Sequence, residues 1–281
     1  MKPLVWLASY PKSGNTWLRA FFAAYQAAPD DVLDINQLNG SMHAADRSLF
    51  DRVIGFAASD LTPDEIDRLR PEVYRSLAGE VPGPLFMKVH DCWRRNGLGL
   101  SIFPADISHV ALCIVRNPLA IVPSLASHSS ISIDQAIEQL ANEQYSTARS
   151  GHKLKSQLHQ PMGSWSQHVA SWLTQSEMAV HTVRYEDLCA DPVQQFRSLL
   201  EVTGLAVDEG RLTRAIAQTS FDRLQATEDA QGFKERLAPA ARFFRQGKAD
   251  GWRAELSAPQ ISRVVASHAE WMQRLGYDLE S

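Results

Sequence analysis

The chain has 281 residues, of which 44% are hydrophobic, and a formal net charge of −4. This length is enough to bury a sizeable core, and the negative charge argues against a nucleic-acid-binding surface, which requires a basic face. No apolar run is long enough to cross a bilayer, so no transmembrane span is expected. The three cysteines are Cys92, Cys113 and Cys189, and without a charged-then-apolar leader they favour the reduced cytoplasm. Histidines, cysteines and acidic residues do not cluster at ligand spacing, so no metal is expected.

Apolar runs and helical stretches alternate along the chain. The runs are Leu4–Ala8, Leu85–Val89, Val110–Val115 and Met178–Val183. Such alternation is typical of a parallel sheet covered by helices, and Thr62-Pro63-Asp64-Glu65 adds a helix start with a capping box. We therefore predict an α/β fold, with one domain over residues 1–281 and a central parallel sheet flanked by helices.

A loop of small and polar residues joins the first apolar run to the first helical stretch. In that stretch Leu18, Phe21, Phe22 and Tyr25 recur at helical spacing, so the first helical turn directs its free backbone N–H groups into the loop. An anion there would meet both these amides and the positive end of the helix dipole. The loop adds a cation, a flexible glycine and two hydroxyl groups, from Lys12, Gly14, Ser13 and Thr16. The sequence therefore predicts a phosphate- or sulfate-binding loop.

The order of residues distinguishes this loop from the P-loop of nucleotide kinases. A Walker A loop ends in Gly-Lys-Ser/Thr after a leading glycine, whereas here Lys12 precedes Gly14. The segment from Pro11 to Trp17 instead resembles the phosphosulfate-binding loop of sulfotransferases that use 3′-phosphoadenosine 5′-phosphosulfate (PAPS). That resemblance implies a P-loop-like domain in which the donor is bound by Lys12, Ser13, Gly14, Asn15, Thr16 and Trp17.

Arg116-Asn117-Pro118 is a second match, with Ser124 following in the next helical stretch. In the sulfotransferases an arginine and a serine at this spacing clamp the 3′-phosphate of the donor. A guanidinium fork suits that role because it makes bidentate, charge-assisted bonds to phosphate. Taken alone, the tripeptide also fits a helix cap, and Pro123 is expected to kink the helix just before Ser124.

The stretch from Phe243 to Gly247 resembles the family's Arg-Lys-Gly segment, which folds over the nucleotide. The resemblance implies that Phe243, Phe244, Arg245, Gln246 and Gly247 bind the donor. Because Gln246 replaces the usual lysine, we expect weaker binding of the 3′-phosphate. Weaker matches imply an adenine pocket lined by Trp17, Tyr185, Thr219 and Phe221. Aromatic faces suit a flat purine, although such residues also serve as ordinary core.

Met87-Lys88-Val89-His90 resembles the family's Lys-Thr-His segment. Residues two apart in a strand project on the same face, and histidine can accept a proton near neutral pH. The resemblance implies in-line sulfuryl transfer, with His90 as general base and with Lys12 and Lys88 stabilising the leaving oxygen of adenosine 3′,5′-bisphosphate (PAP).

The acceptor is expected to be a hydroxyl of a small molecule, such as a phenol, an alcohol or a natural product. The polar stretches 34–60, 91–107, 150–162 and 227–240 are expected to be the loops around it. Two alternatives remain: an ATP-dependent kinase, which would need the Walker order and an acidic metal ligand, and a non-catalytic binder of adenosine bisphosphates.

Overall fold

The computed structural model describes residues 2–28, 30–38, 41–148, 155–237, 240 and 242–279. The chain divides into two compact units. Unit 1 comprises Met1–Tyr10, Ser41–Cys113 and Glu143–Thr182, and unit 2 comprises Pro11–Gly40, Ile114–Asn142 and Val183–Ser281. That residues 1–281 form one domain therefore remains a prediction.

A parallel five-stranded sheet is the central feature of the fold, as the sequence predicted. The strand order is β2-β3-β1-β4-β7, and β5 pairs with β6 in a small antiparallel sheet. Every residue of β1 and β3 is buried, because a parallel sheet is covered on both faces. The strands are β1 (Leu4–Ser9), β2 (Ser41–His43), β3 (Leu85–Val89), β4 (Ser108–Val115), β5 (Ser146–Thr147), β6 (Gln160–Pro161) and β7 (Val180–Arg184).

The helices follow the strands in the expected alternation. They are α1 (Asn15–Gln26), α2 (Arg47–Ile54), α3 (Pro63–Gly79), α4 (Pro118–Ser129), α5 (Ile133–Ala141), α6 (Trp165–Leu173), α7 (Tyr185–Ala190), α8 (Pro192–Val202), α9 (Glu209–Gln218), α10 (Phe221–Gln231) and α11 (Ala258–Arg274). The predicted capping box of α3 is present: Thr62 Oγ1 accepts from the Glu65 amide at 3.3 Å, and Glu65 Oε2 accepts from the Thr62 amide at 2.8 Å. In the described ranges, no helix has the length and apolarity that crossing a bilayer requires.

Some boundaries differ from the sequence expectations. The last strand was expected to begin at Met178, but β7 begins at Val180. The stretch 34–60 was expected to be loop, yet it holds β2 and α2. Asp46 explains the start of α2, because its carboxylate caps the amides of Ser48 and Leu49. The loop expectation for 227–240 is also wrong at its start, where α10 continues to Gln231, and residues 150–154 and 238–239 lie outside the described residues.

Candidate active site

The predicted anion-binding loop adopts a strained backbone immediately before α1. Lys12 has φ of 70° and Gly14 has φ of 104°, and Gly14 is the N-cap of α1. A positive φ is uncommon for a residue with a side chain, and such strain tends to occur at functional positions. Ser13, Asn15 and Thr16 are all buried. The structure therefore has the strained, buried loop before α1 that an anion site requires, and binding of an anion there remains a prediction.

Tyr185 lies directly against the loop. A Cβ atom at position 14 would lie 2.7 Å from Tyr185 Cδ2, so only glycine allows this approach. The Arg116 guanidinium lies over the Tyr185 ring at 4.3 Å from its centroid, and Trp17 meets the same ring edge-on at 5.9 Å. Three segments that the sequence analysis singled out therefore meet in unit 2, through Gly14 and Trp17, Arg116, and Tyr185.

Arg116 is held by two backbone carbonyls, and its buried Nε makes no hydrogen bond within the described residues. Its Nη1 donates to the Lys12 carbonyl at 3.0 Å, and its Nη2 donates to the Lys248 carbonyl at 3.1 Å. Within the described residues, the buried Arg116 Nε, Ser13 Oγ and Trp17 Nε1 have no hydrogen-bond partner. Buried donors without partners are unfavourable unless a ligand satisfies them. Their presence in one unit fits an anionic nucleotide.

Replacing Gly14 by alanine is expected to weaken nucleotide binding by about tenfold or more, because the new Cβ forces the Tyr185 ring away from the loop and disturbs Arg116. Titration calorimetry with PAP measures the effect. Gly55→Ala is the matched control, since Gly55 also has a positive φ but has nothing within 4 Å of its Cβ position. The control should lose stability and keep its affinity; equal losses of affinity in both variants would contradict the prediction.

The segment from Phe243 to Gly247 packs beside the loop residue Lys12. Lys12 Nζ lies 3.8 Å from the centroid of the Phe243 ring, a cation–π contact. Phe244 is buried. A Cβ at Gly247, which has φ of 65°, would lie 2.2 Å from Phe221 Cδ2. The segment thus brings the predicted residues Lys12, Phe221, Phe243 and Gly247 together.

Arg245 pairs with an acidic residue in this structure, and Gln246 packs against Gly251. Arg245 makes a bidentate ion pair with Glu255, at 2.6 and 2.8 Å. Gln246 Oε1 lies 2.5 Å from where a Cβ at Gly251 would be, so a glycine there leaves room for the Gln246 side chain. The sequence did not indicate Glu255 as the partner of Arg245. Contact of Arg245 and Gln246 with a 3′-phosphate remains a prediction.

Ser124 lies on α4, and Thr219 is the residue directly after α9. Helix α4 continues through Pro123, and Ser124 is half-buried on it. Thr219 is fully buried, and its hydroxyl donates to the Ala215 carbonyl at 2.7 Å. Because that proton is already used within the helix end, Thr219 could contact a nucleotide only through its oxygen or methyl group.

His90 follows β3 in unit 1, and its ring orientation is fixed. Nδ1 lies 2.7 Å from the Ser9 carbonyl oxygen. Since a carbonyl can only accept, Nδ1 carries the proton and Nε2 is the basic nitrogen. Lys88 is buried on β3, two residues before His90. This arrangement gives His90 the tautomer that a general base requires.

Asp91, the residue after His90, forms a buried ion pair with Arg70. The sequence analysis did not predict this pair. Asp91 and Arg70 are both 0% exposed and make a bidentate pair at 2.8 Å for each bond. Arg70 Nε donates to Tyr74 Oη at 2.8 Å, and Trp172 Nε1 donates to the Asp91 carbonyl at 3.0 Å. Burial raises the pKa of Asp91, but the Arg70 guanidinium outweighs it and leaves that pKa below its usual value. The only sequence signal was an arginine spaced one turn from Tyr74 in an amphipathic helix.

His168 packs against the same segment. Burial lowers the pKa of His168 to about 4, against smaller opposing effects of the His90 and Asp91 backbone and the Asp91 charge. Unfolding therefore exposes a histidine that binds a proton more readily than the folded one, and stability is lost as pH falls from about 6.5 to about 4. Burial lowers the pKa of His268 to about 4 as well.

We expect the free energy of unfolding to fall over this pH range by about 3 kcal/mol from His168 alone. Urea denaturation at pH 7 and at pH 4 measures the fall. In His168→Gln the decrease in the free energy of unfolding should be smaller by about 3 kcal/mol. The decrease that His268 causes should remain. Identical pH dependence in the two proteins would contradict the assignment.

Cys92, two residues after His90, lines a cavity of about 400 Å³ in unit 1. Tyr145, His159 and Ser171 are among its other lining residues. Its volume lies in the range of small-molecule sites. Among the described residues, no group of three histidines, cysteines or acidic residues could hold a metal ion.

Comparison with known proteins identifies the family. The sulfotransferase domain model matches residues 2–276. Rat sulfotransferase 1C2 is 20% identical over 92% of this chain and 79% of its own length, and human sulfotransferase 1C2 is 21% identical over 92% and 79%. The solved structure of mouse sulfotransferase SULT7A1 complexed with PAP matches with a TM-score of 0.60 at 17% identity, covering 97% of this chain and 85% of that one.

Retinol dehydratase in a complex with retinol and PAP matches with a TM-score of 0.61 at 18% identity, covering 100% of this chain and 84% of that one. Structural likeness at such identities shows the fold, and it agrees with the α/β class predicted from the sequence. The family assignment rests on the match to the domain model, which spans nearly the whole chain. The chain therefore belongs to the sulfotransferase domain family, as the motifs from Pro11 to Gly247 predicted.

Proposed function

We propose that this protein transfers the sulfuryl group of PAPS to a hydroxyl of a small-molecule acceptor by in-line displacement. The observation that carries the donor assignment is the set of buried donors without partners in the described part of unit 2, namely Ser13 Oγ, Trp17 Nε1 and Arg116 Nε. Membership of the sulfotransferase domain family supports the reaction type. Solved relatives of this fold are complexed with PAP, which supports the same nucleotide here.

The donor-binding roles follow from the chemistry of each group. The loop from Lys12 to Trp17 would bind the 5′-phosphosulfate through the α1 amides and hydroxyls. Arg116 would bind the 3′-phosphate through its unused Nε, with Ser124 and the 243–247 segment as further contacts. Trp17, Tyr185 and Phe221 would supply aromatic surface to the adenine.

The reaction needs one proton transfer and one displacement. The acceptor oxygen attacks sulfur as its proton passes to Nε2 of His90, the new oxygen–sulfur bond forms, and the bond from sulfur to the bridging phosphate oxygen breaks. The electron pair of that bond leaves with PAP. Lys12 and Lys88 would stabilise the negative charge that develops on the departing oxygen. No covalent enzyme intermediate is required.

The acceptor would be a small hydroxyl compound, such as a phenol, an alcohol or a natural product. The cavity beside Cys92 has a volume suited to such a molecule, and its lining mixes ring, hydroxyl and imidazole groups. Related solved structures contain retinol or androsterone, which supports a small-molecule acceptor. A cytoplasmic location also belongs to the proposal, because Cys92, Cys113 and Cys189 are free; fractionation of cells would test it.

Titration calorimetry tests the donor assignment, with PAP as the ligand and with ADP plus magnesium as the comparison. Binding of PAP with a clear preference over ADP supports the proposal. Preference for ADP with magnesium would instead support the kinase alternative. A protein that binds PAP but transfers no sulfuryl group to any hydroxyl acceptor in a screen would be the non-catalytic binder.

A further inference from the structure

Helix α10 holds the segment from Phe243 to Gly247 at several points. The carboxylate of Glu228 accepts hydrogen bonds from two consecutive amides, Phe243 at 2.7 Å and Phe244 at 2.9 Å. Glu228 is 2% exposed. Each of its two oxygens is therefore committed to the backbone of this segment.

Two more α10 side chains contact the same segment. Gln225 Nε2 donates to the Phe244 carbonyl at 2.7 Å. The Phe221 ring lies against Gly247, where an added Cβ would come within 2.2 Å of Cδ2. Contacts from three residues over about two turns of one helix thus determine the path of the backbone on which Arg245 and Gln246 lie.

The residue that follows the segment, Lys248, contacts Arg116, the residue proposed to bind the 3′-phosphate. Arg116 Nη2 donates to the carbonyl of Lys248 at 3.1 Å, next to Gly247. A shift of the segment would therefore move a carbonyl that orients Arg116, together with the side chains of Arg245 and Gln246.

Glu228 is a buried carboxylate whose hydrogen-bond partners are backbone amides of the segment from Phe243 to Gly247. Burying a carboxylate is unfavourable unless hydrogen bonds or charges compensate it, and the two amides are its nearest such partners, with Arg236 Nη1 at 3.9 Å. Hydrogen bonds to an ionised acceptor are stronger than neutral ones. The carboxylate consequently fixes two successive peptide groups more firmly than a neutral side chain would.

We propose that Glu228 is a positioning residue of the donor site: by fixing Phe243 and Phe244, it places the following residues so that the site prefers a nucleotide with a 3′-phosphate. This inference rests on the proposed function, since it assumes that the segment faces PAP. It adds a residue that makes no contact with the nucleotide and acts only through the backbone of the segment.

Glu228→Gln tests the proposal, because glutamine keeps the size but offers one acceptor oxygen instead of two. Calorimetry would compare PAP with AMP, which lacks the 3′-phosphate. We expect the affinity for PAP to fall by about tenfold, equivalent to about 1.4 kcal/mol, and the affinity for AMP to fall less. Gln225→Ala, a milder change at the same segment, should shift the ratio of the two affinities in the same direction.

Asp229→Asn is the matched control, because it removes the same charge from the next residue of α10, whose exposed side chain pairs with Arg242. The control should keep the ratio of PAP to AMP affinity. Thermal denaturation shows whether each variant is folded. Folded Glu228→Gln and Gln225→Ala with unchanged ratios, or with equal losses for PAP and AMP, would overturn the inference. A wild-type protein that does not prefer PAP over AMP would instead overturn the proposed function itself.

Discussion

His90→Gln should lower kcat by about 10²- to 10⁴-fold, the usual contribution of a general base. Glutamine has no basic nitrogen and cannot take a proton from the acceptor. Because His90 is assigned no contact with the donor, the affinity for PAP should stay near that of the wild type. Initial-rate kinetics and calorimetry together measure both quantities, once an acceptor has been found in the screen.

His109→Gln is the control for this prediction, since His109 is a half-buried histidine on β4 with no role in the proposed site. It should keep kcat. An unchanged kcat in a folded His90→Gln protein would show that another group takes the proton.

Arg70→Met should reduce the free energy of unfolding by up to about 3–5 kcal/mol, because it removes the bidentate counter-charge of the fully buried Asp91 carboxylate and leaves that carboxylate with the longer Arg94 pair, at 3.4 Å. Few single changes in this chain should be as damaging, since typical substitutions lower stability by only about 1 kcal/mol. Chemical denaturation at neutral pH measures the loss. Tyr74 would also lose its guanidinium partner.

Two further proteins make the interpretation specific. Arg75→Met removes the same residue type from the same helix, but the Arg75 pair with Asp106 is exposed, so it should lower stability by less than about 1 kcal/mol. The double variant Arg70→Met with Asp91→Leu removes both charges and should recover much of the stability. If Arg70→Met were no worse than Arg75→Met, the buried pair would contribute little.

The loop between β1 and α1 could be predicted from the sequence because its signals are local. A strand, a short loop and a helix start follow one another within Leu4–Gln26, and hydrophobic periodicity and cap chemistry act over such distances. The same holds for the α3 capping box at Thr62 and Glu65. The edge strand β2 was missed because three half-buried residues show no alternation.

Contacts between distant residues could not be predicted in the same way. Tyr185 reaches Gly14, Arg70 pairs with Asp91, and Glu228 holds the amide of Phe243. Each pairing depends on where the chain path brings two elements together. A single sequence shows which side chains are available for such contacts but not which of them meet.

The sequence by itself determined the α/β class, the strand–loop–helix order around Gly14 and the family resemblance, since these depend on the order of neighbouring residues. Only the tertiary structure decided which tautomer His90 adopts, that Arg245 pairs with Glu255, and that Arg116 rests on the Lys12 carbonyl. Those features come from hydrogen bonds and ion pairs between elements far apart in the chain. Such bonds form where burial excludes water and leaves each polar group to find a partner within the protein.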